Sequence, residues 1–455
     1  MQKKLLSGLF WVLLANLLVK PLWILGVEVG VQNAVGNEAY GFYHALFSFT
    51  YIFNILLDLG LTNYNTRNIA QHPQLITKHL SGILGIKLCL LGLYVMVTFT
   101  VGLAMGYGSA EFRLLALLTL CQFLNSLILY LRSNFEGLLL FRWDSLFSVL
   151  DRLLMIVICG CLLWSPMRER FNIYWFVYAQ LMAYGITAVL ALCVIARKAG
   201  LRRVRFDRRF FAVVLKQSAP FALLVLLMAS YNRIDPILLR SLVGDADAGV
   251  YAGAFRLLDA LTMVAYLVSV PLLPVYARLC KGEGVKGSEK GVKGSERTND
   301  EITGITRLVF APMMLFAVGT AVALCAVAEP TMGLLYHERG SMYVPVFRVI
   351  IFGIIPISLT YIFGTLLTAG GYLRQLNLFA ASSLALNVVV NLLLIPRLGA
   401  TGSAWASLTA QTFMAAAQVA LAVRLYGLPA RSFLPLGLSD TKRLVKSLIT
   451  NNNSQ

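Results

Sequence analysis

Long apolar stretches recur along this chain with little between them, and that pattern constrains the fold more than any motif does. A helix needs about 20 apolar residues to cross the hydrocarbon core of a bilayer. Stretches of that kind lie near residues 9–31, 42–61, 80–103, 112–139, 146–164, 173–195, 219–242, 250–277, 305–327, 344–367, 378–398 and 404–426. They give twelve spans, with eleven and thirteen as the neighbouring counts. Of the 455 residues 58% are hydrophobic and 13% charged, which excludes a chain of water-soluble domains, since those carry about a quarter charged residues. The chain reads as an all-α polytopic membrane protein with little left over for a soluble domain.

The net charge of +18, from 39 Lys and Arg against 21 Asp and Glu, would point to nucleic acid in a soluble protein. Here most of the basic residues fall in alternate links, on the side of the N-terminus, so the charge reads as membrane orientation with both termini cytoplasmic and no nucleic-acid partner. The link between the sixth and seventh spans contributes most, through Arg197, Lys198, Arg202, Arg203, Arg205, Arg208, Arg209 and Lys216. Arg168 and Arg170 fall on the other side, against the trend. The first apolar stretch is long and lacks a small-residue cleavage pattern, so it is expected to be a retained span. The seven cysteines lie in apolar helices or at their ends without a C-x-x-C, and Cys159 and Cys161 point different ways on a helix, so neither disulfides nor a metal centre are expected.

An internal repeat organises the chain. VGNEAYGFYHALF from Val35 to Phe47 aligns with VGDADAGVYAGAF from Val243 to Phe255, matching Val35, Gly36, Gly41, Tyr43 and Phe47 to Val243, Gly244, Gly249, Tyr251 and Phe255. Two halves of six spans each then share one orientation and are related by a pseudo-two-fold axis along the membrane normal, with a central cavity between them. The expected division is residues 1–200 as the first half, 201–218 as a basic cytoplasmic linker, 219–430 as the second half and 431–455 as a cytoplasmic tail. Residues 281–301 hold the duplicated GVKGSE and read as a flexible cytoplasmic insertion. Each half opens on an interrupted span, at Asn16, Lys20 and Pro21 and at Asn232, Arg233, Asp235 and Pro236. Broken membrane helices free backbone groups that a cavity can satisfy. Pro271, Pro274 and Pro356 read as kinks.

Ionisable side chains in hydrocarbon cost at least a few kcal/mol unless paired, snorkelling or lining water. The set within the spans is cationic: Lys20, Lys87, Arg132, Arg152, Arg233, Arg256, Arg307 and Arg348 outnumber Glu28, Glu136, Asp151, Asp235 and Asp259. Arg132 with Glu136 and Arg256 with Asp259 have the spacing of local salt bridges. Lys87, Arg307 and Arg348 lie toward span ends, where snorkelling is expected. Lys20 has no acid within a turn and leads the candidates for a cavity charge, followed by Arg233 and Arg256, with a cross-helix ion pair as the rival role. Such a cavity suits an anionic amphiphile, because Arg and Lys bind phosphate oxygens while an apolar tail stays in lipid. Tyr40, Tyr43, Tyr51, Tyr64, Tyr231 and Tyr251 could stack on sugars, although packing is the first reading for tyrosines there.

The hairpin pattern of Gly36, Tyr40, Gly41 and Tyr43, followed by Leu57-Asp58-Leu59-Gly60 and Arg67, together with the twelve-span layout, resembles Wzx-type polysaccharide flippases of the multidrug/oligosaccharidyl-lipid/polysaccharide superfamily. The segment from Gly399 to Ala404 is similar to that family's last hairpin. The resemblance implies alternating-access transfer of an undecaprenyl-pyrophosphate-linked oligosaccharide across the bacterial inner membrane. It makes the lipid-linked oligosaccharide and membrane lipids the partners, with a polysaccharide polymerase and glycosyltransferases beside them. Lys20, Arg233, Arg256 and Arg132 are the substrate-binding candidates and Glu28, Asp235 and Asp259 the candidates for ion coupling. No cofactor is called for, and a proton or sodium gradient could reset the cavity. A drug or cation antiporter of the same superfamily should favour acids in its cavity. A glycan polymerase or ligase would need a large outer loop or a catalytic cluster, whereas His44, His72, His79 and His337 are scattered.

Overall fold

The computed structural model describes residues 19, 21–62, 65, 66, 69, 74, 76–138, 140–199, 226–281 and 296–428. Lys20, Arg67, the linker 201–218, residues 282–295 of the insertion and the tail from 431 lie outside them, while residues 296–301, expected within the flexible insertion, are helical. The described residues contain helices and the turns between them, with no strand. Eight of these helices are long and apolar enough to cross a membrane. The chain divides into two compact units, Met1–Gly253 and Ala254–Gln455.

The first unit contains α1 (Val29–Ile52), α2 (Ile76–Ala104), α3 (Ser109–Gly137), α4 (Phe141–Phe147), α5 (Leu150–Leu163), α6 (Ile173–Ala199), α7 (226–242) and the start of α8 (Asp245–Lys281). Helix α3 is its centre. One face carries Leu114, Leu118 and Cys121 into a core with Tyr43, Met155 and Phe176, and another carries Tyr130, Leu131 and Phe135 against Ile83, Ile86 and Ile195. Aromatic rings tie α1 to α6, with Tyr43 edge-on to Phe176 at 5.2 Å between centroids.

The second unit continues α8 and adds α9 (Glu296–Ala326), α10 (Ala328–Tyr336), α11 (Val344–Ala369) and α12 (Leu373–Tyr426). Its core gathers Leu272, Tyr276, Ile305, Phe363, Leu366 and Ala422. Helix α12 changes direction at Gly399, whose φ of 56° is open to glycine without strain. The hairpin expected around Gly399 is therefore formed.

The helix breaks lie partly where the sequence puts them. Pro21 leads into a π-helical stretch, Leu22–Glu28, so the first span is irregular as expected. In contrast, α7 runs unbroken through Pro236, and α8 runs through Pro271 and Pro274. A buried helix tolerates a proline when neighbours satisfy the freed carbonyl, so the residue alone does not decide the outcome. Around Pro356 the helix passes through 3-10 geometry at Ile351–Gly353 and π geometry at Thr360–Gly364, so it is irregular on both sides of the proline. One further break was not foreseen. After α1 the chain tightens into a 3-10 turn, Phe53–Leu57, and then reverses through Leu59 and Gly60 at φ 43° and 82°.

The repeat is real in the backbone. Gly36 and Gly244, its equivalent positions, both turn the chain at positive φ, 83° and 110°. Gly41 abuts Asp245 and Gly249, while Gly249 abuts Asn37. Asn37 and Asp245 are themselves equivalent positions, so each copy touches the other through the same pair of sites, the signature of a local two-fold contact. Gln32 reinforces it by donating from Nε2 to the Gly249 carbonyl at 2.8 Å.

Candidate functional site

A polar stripe runs along α3 where it faces the broken second span. Asn54 donates to Gln122 at 3.0 Å, and Asn65 donates to Ser133 at 2.8 Å and Asn134 at 3.1 Å. Thr66 donates to Glu136 at 3.3 Å. Such pairs within a membrane contribute about 0.6 kcal/mol each, so the stripe acts mainly by fixing the register of the two segments.

At the middle of the stripe sits Lys87 of α2, 1% exposed. Its ammonium donates to Asp58 Oδ1 at 2.9 Å, the Leu57 carbonyl at 3.0 Å, Ser126 Oγ at 2.7 Å and the Ser126 carbonyl at 3.2 Å. The Tyr130 ring centroid lies 5.9 Å away. Leu57 ends the 3-10 turn, so its carbonyl carries part of the negative pole of the preceding helix. Asp58 also accepts from Thr62 and thereby starts the next turn. Lys87 therefore does not snorkel, contrary to the expectation from its place in the sequence: its partners lie inside the unit, and the break at Asp58 brings them to it.

A second charged node joins the ends of α3, α7 and α8. Arg240 reaches Glu111 Oε1 with Nη2 and Asp245 Oδ1 with Nε, both at 2.8 Å. Its guanidinium lies over the Phe42 ring at 4.7 Å and the Tyr107 ring at 5.5 Å. Burial pushes the Tyr107 phenol up, and the neighbouring Arg240 offsets only part of that, so this ring stays neutral beside the arginine. Arg240 and Asp245 flank the turn at Gly244, a proximity visible in the sequence only once that turn is known.

The candidates named from sequence separate into different settings. Arg233 on α7 is half-buried, with its guanidinium carbon 5.0 Å from the Tyr51 ring centroid, a cation–π contact. Two residues further along α7, buried Asp235 accepts from buried Tyr251 of the second repeat copy at 2.8 Å. Arg256 is buried and donates from Nη1 to Tyr336, whose ring stacks on Tyr343 at 3.9 Å. Asp259, its expected partner, is exposed, whereas Arg256 is buried and turned to Tyr336. Arg132 pairs with Asp144 of α4 at 2.7 Å and not with Glu136, because the short helix α4 folds back and offers its carboxylate from a better direction. Glu28 ends the π-helical stretch, part-buried. Arg348 is exposed and bridges Glu329 at 2.9 Å, as suits a span end. Among the described residues no group of three His, Cys, Asp or Glu is placed to hold a metal ion.

Residues 5–280, more than half of the chain, match the family described as polysaccharide biosynthesis protein. The chain belongs to that family. This polysaccharide biosynthesis protein has the fold of transporters of the MOP superfamily. It is similar to the lipid II flippase MurJ in an inward closed conformation, at 13% identity over 96% of this chain and 92% of that one, with a TM-score of 0.67. An inward-facing multidrug resistance MATE transporter of the MOP superfamily aligns at 15% identity over 91% and 94%, with a TM-score of 0.64. A MOP superfamily transporter from Pyrococcus furiosus with a binding pocket of reverse polarity aligns at 15% identity over 92% of this chain and 93% of that one, with a TM-score of 0.54. No curated protein matches the chain by sequence. The polysaccharide biosynthesis protein is thus a multi-pass membrane protein with the all-helical fold that its sequence implies.

Proposed function

We propose that this protein flips an undecaprenyl-pyrophosphate-linked oligosaccharide repeat unit from the cytoplasmic to the outer leaflet of the bacterial inner membrane. The family match over residues 5–280 carries the reading. The cationic excess of the spans supports it, because a pyrophosphate is a compact anion that Arg and Lys bind through charge-assisted hydrogen bonds. Lys20, Arg233, Arg256 and Arg132 are the substrate-binding set. Arg132 is the weakest of them, since its charge is matched by Asp144. Glu28, Asp235 and Asp259 are the acids proposed to couple flipping to a proton or sodium gradient. Both termini are placed in the cytoplasm on the distribution of Lys and Arg, with residues 1–200 and 219–430 as the two moving halves. A polymerase and glycosyltransferases are the proposed neighbours in the pathway.

The likeness to MATE transporters favours a second reading, export of drugs or cations. That reading favours acids over bases in the cavity, whereas Lys and Arg outnumber Asp and Glu within the spans. Deleting the gene in its host and extracting inner-membrane lipid separates the two. Build-up of a complete lipid-linked repeat unit with loss of surface polymer supports flipping, and the accumulated glycan identifies the polymer as O-antigen, capsule or exopolysaccharide. Unchanged surface polymer together with new drug sensitivity supports export.

A further inference from the structure

We propose that the cage around Lys87 is a monovalent-cation site that the chain fills with its own side chain. Four oxygens from two segments, the turn at Leu57–Asp58 and helix α3, converge on one point: a carboxylate from Asp58, a hydroxyl from Ser126, and the carbonyls of Leu57 and Ser126, all within 2.7 to 3.2 Å of Nζ. Membrane proteins bind alkali cations with this kind of donor set, in which carbonyls at broken helix ends and a nearby carboxylate replace the hydration shell. An ammonium has three protons to donate. The cage supplies four acceptors, more than hydrogen bonding to a lysine requires, and arranges them around the charge as it would around an ion.

The backbone is shaped to make the cage. The chain leaves helical geometry at Phe53–Leu57 and turns through Leu59 at φ 43°, a conformation a leucine rarely adopts. That turn directs the Leu57 carbonyl and the Asp58 carboxylate to the same side. Without a cation there, a carboxylate and two carbonyls would face one another with only the Thr62 and Ser126 donors to offset their repulsion. Lysine at position 87 supplies the charge on a tether. The consequence is that external Na+ or K+ has no access to this place in the native chain, and that shortening Lys87 converts it into a site for one of them.

The test reads stability, so its outcome is independent of what the protein carries. The full-length wild type, Lys87→Ala, and Lys87→Ala with Asp58→Asn are purified in detergent. Each is melted in NaCl, KCl and choline chloride at one ionic strength. The wild type should melt within about 1 °C in all three salts. Lys87→Ala should melt lower in choline and recover saturably, by about 5 °C, as Na+ or K+ is added, and the Asp58→Asn change should abolish the recovery. A Lys87→Ala protein indifferent to the cation overturns the proposal, as does a wild type that gains equally. If Lys87→Ala does not accumulate, Lys87→Gln keeps most of the volume without the charge, and the same two outcomes apply to it.

Discussion

Gly41 and Gly249 lie backbone against backbone, 208 residues apart in sequence and at equivalent positions of the repeat. A Cβ on Gly41 would collide with the Asp245 carbonyl, and one on Gly249 with the Asn37 carbonyl. Small residues of this kind let membrane helices approach closely, where dispersion and weak C–H to O=C contacts replace a hydrophobic driving force that lipid does not supply. Because both glycines serve one contact, Gly41→Ala and Gly249→Ala should each destabilise by about 1–3 kcal/mol. The double variant should cost clearly less than their sum, since the first substitution already separates the backbones. Thermal melts of the four proteins measure this, and strict additivity would mean that the two glycines do not share an interface.

How much of this was legible beforehand depended on whether the signal was local. The all-helical membrane class, the hairpin at Gly399 and the repeat could be read because apolar length and glycine position are properties of a short stretch. Against the twelve spans expected, eight helices among the described residues are long and apolar enough to cross a membrane. The glycines matched by alignment, Gly36 with Gly244 and Gly41 with Gly249, are those that turn or touch. The charge pairings were legible only in part, because spacing along one helix says nothing of a neighbour. Arg132 has Glu136 one turn away yet pairs with Asp144, and Lys87 has no acid near it in sequence because Asp58 arrives from a different span. Proline misled at Pro236, where α7 continues. The break at Leu59 carries no breaker until Gly60.

The Arg132 pairing makes a prediction that discriminates between two acids. Asp144→Asn leaves the guanidinium largely buried without its partner and should lower stability by about 2 kcal/mol. Glu136→Gln removes a charge that acts on Arg132 only at a distance, without an ion pair, keeps an oxygen for Thr66, and should change stability by less than half as much. Melting temperatures of the two variants in the same detergent decide it, and the reverse order would restore the bridge expected from sequence.

Arg233 is held over the face of Tyr51, a contact worth about 0.5–1 kcal/mol where partly solvated. A substrate phosphate would compete poorly with a buried carboxylate but well with a ring, so this arginine is available to an anion in a way Arg132 is not. Arg233→Ala should therefore reduce export at least tenfold with little loss of protein, and Lys20→Ala should do the same. Tyr51→Phe should leave export within twofold of the wild type, because phenylalanine presents a similar face. Surface polymer normalised to membrane protein measures all three.

Asp235 receives the Tyr251 hydroxyl at 2.8 Å within the first unit, and both side chains are buried. A carboxylate placed there costs several kcal/mol of desolvation unless hydrogen bonds offset it, and the phenol offsets part of that cost. If Asp235 couples flipping to an ion gradient, it must exchange this donor for a proton or a sodium ion during the cycle. Tyr251→Phe removes the competing donor without removing the acid, so it should retain export while changing its dependence on the gradient. Asp235→Asn, which keeps the shape and loses the charge, should reduce export at least tenfold. Polymer export measured as an ionophore collapses the proton or the sodium gradient distinguishes the roles. Equal, gradient-independent losses in the two variants would make the pair a packing element of α7 and α8 and remove Asp235 from the coupling set.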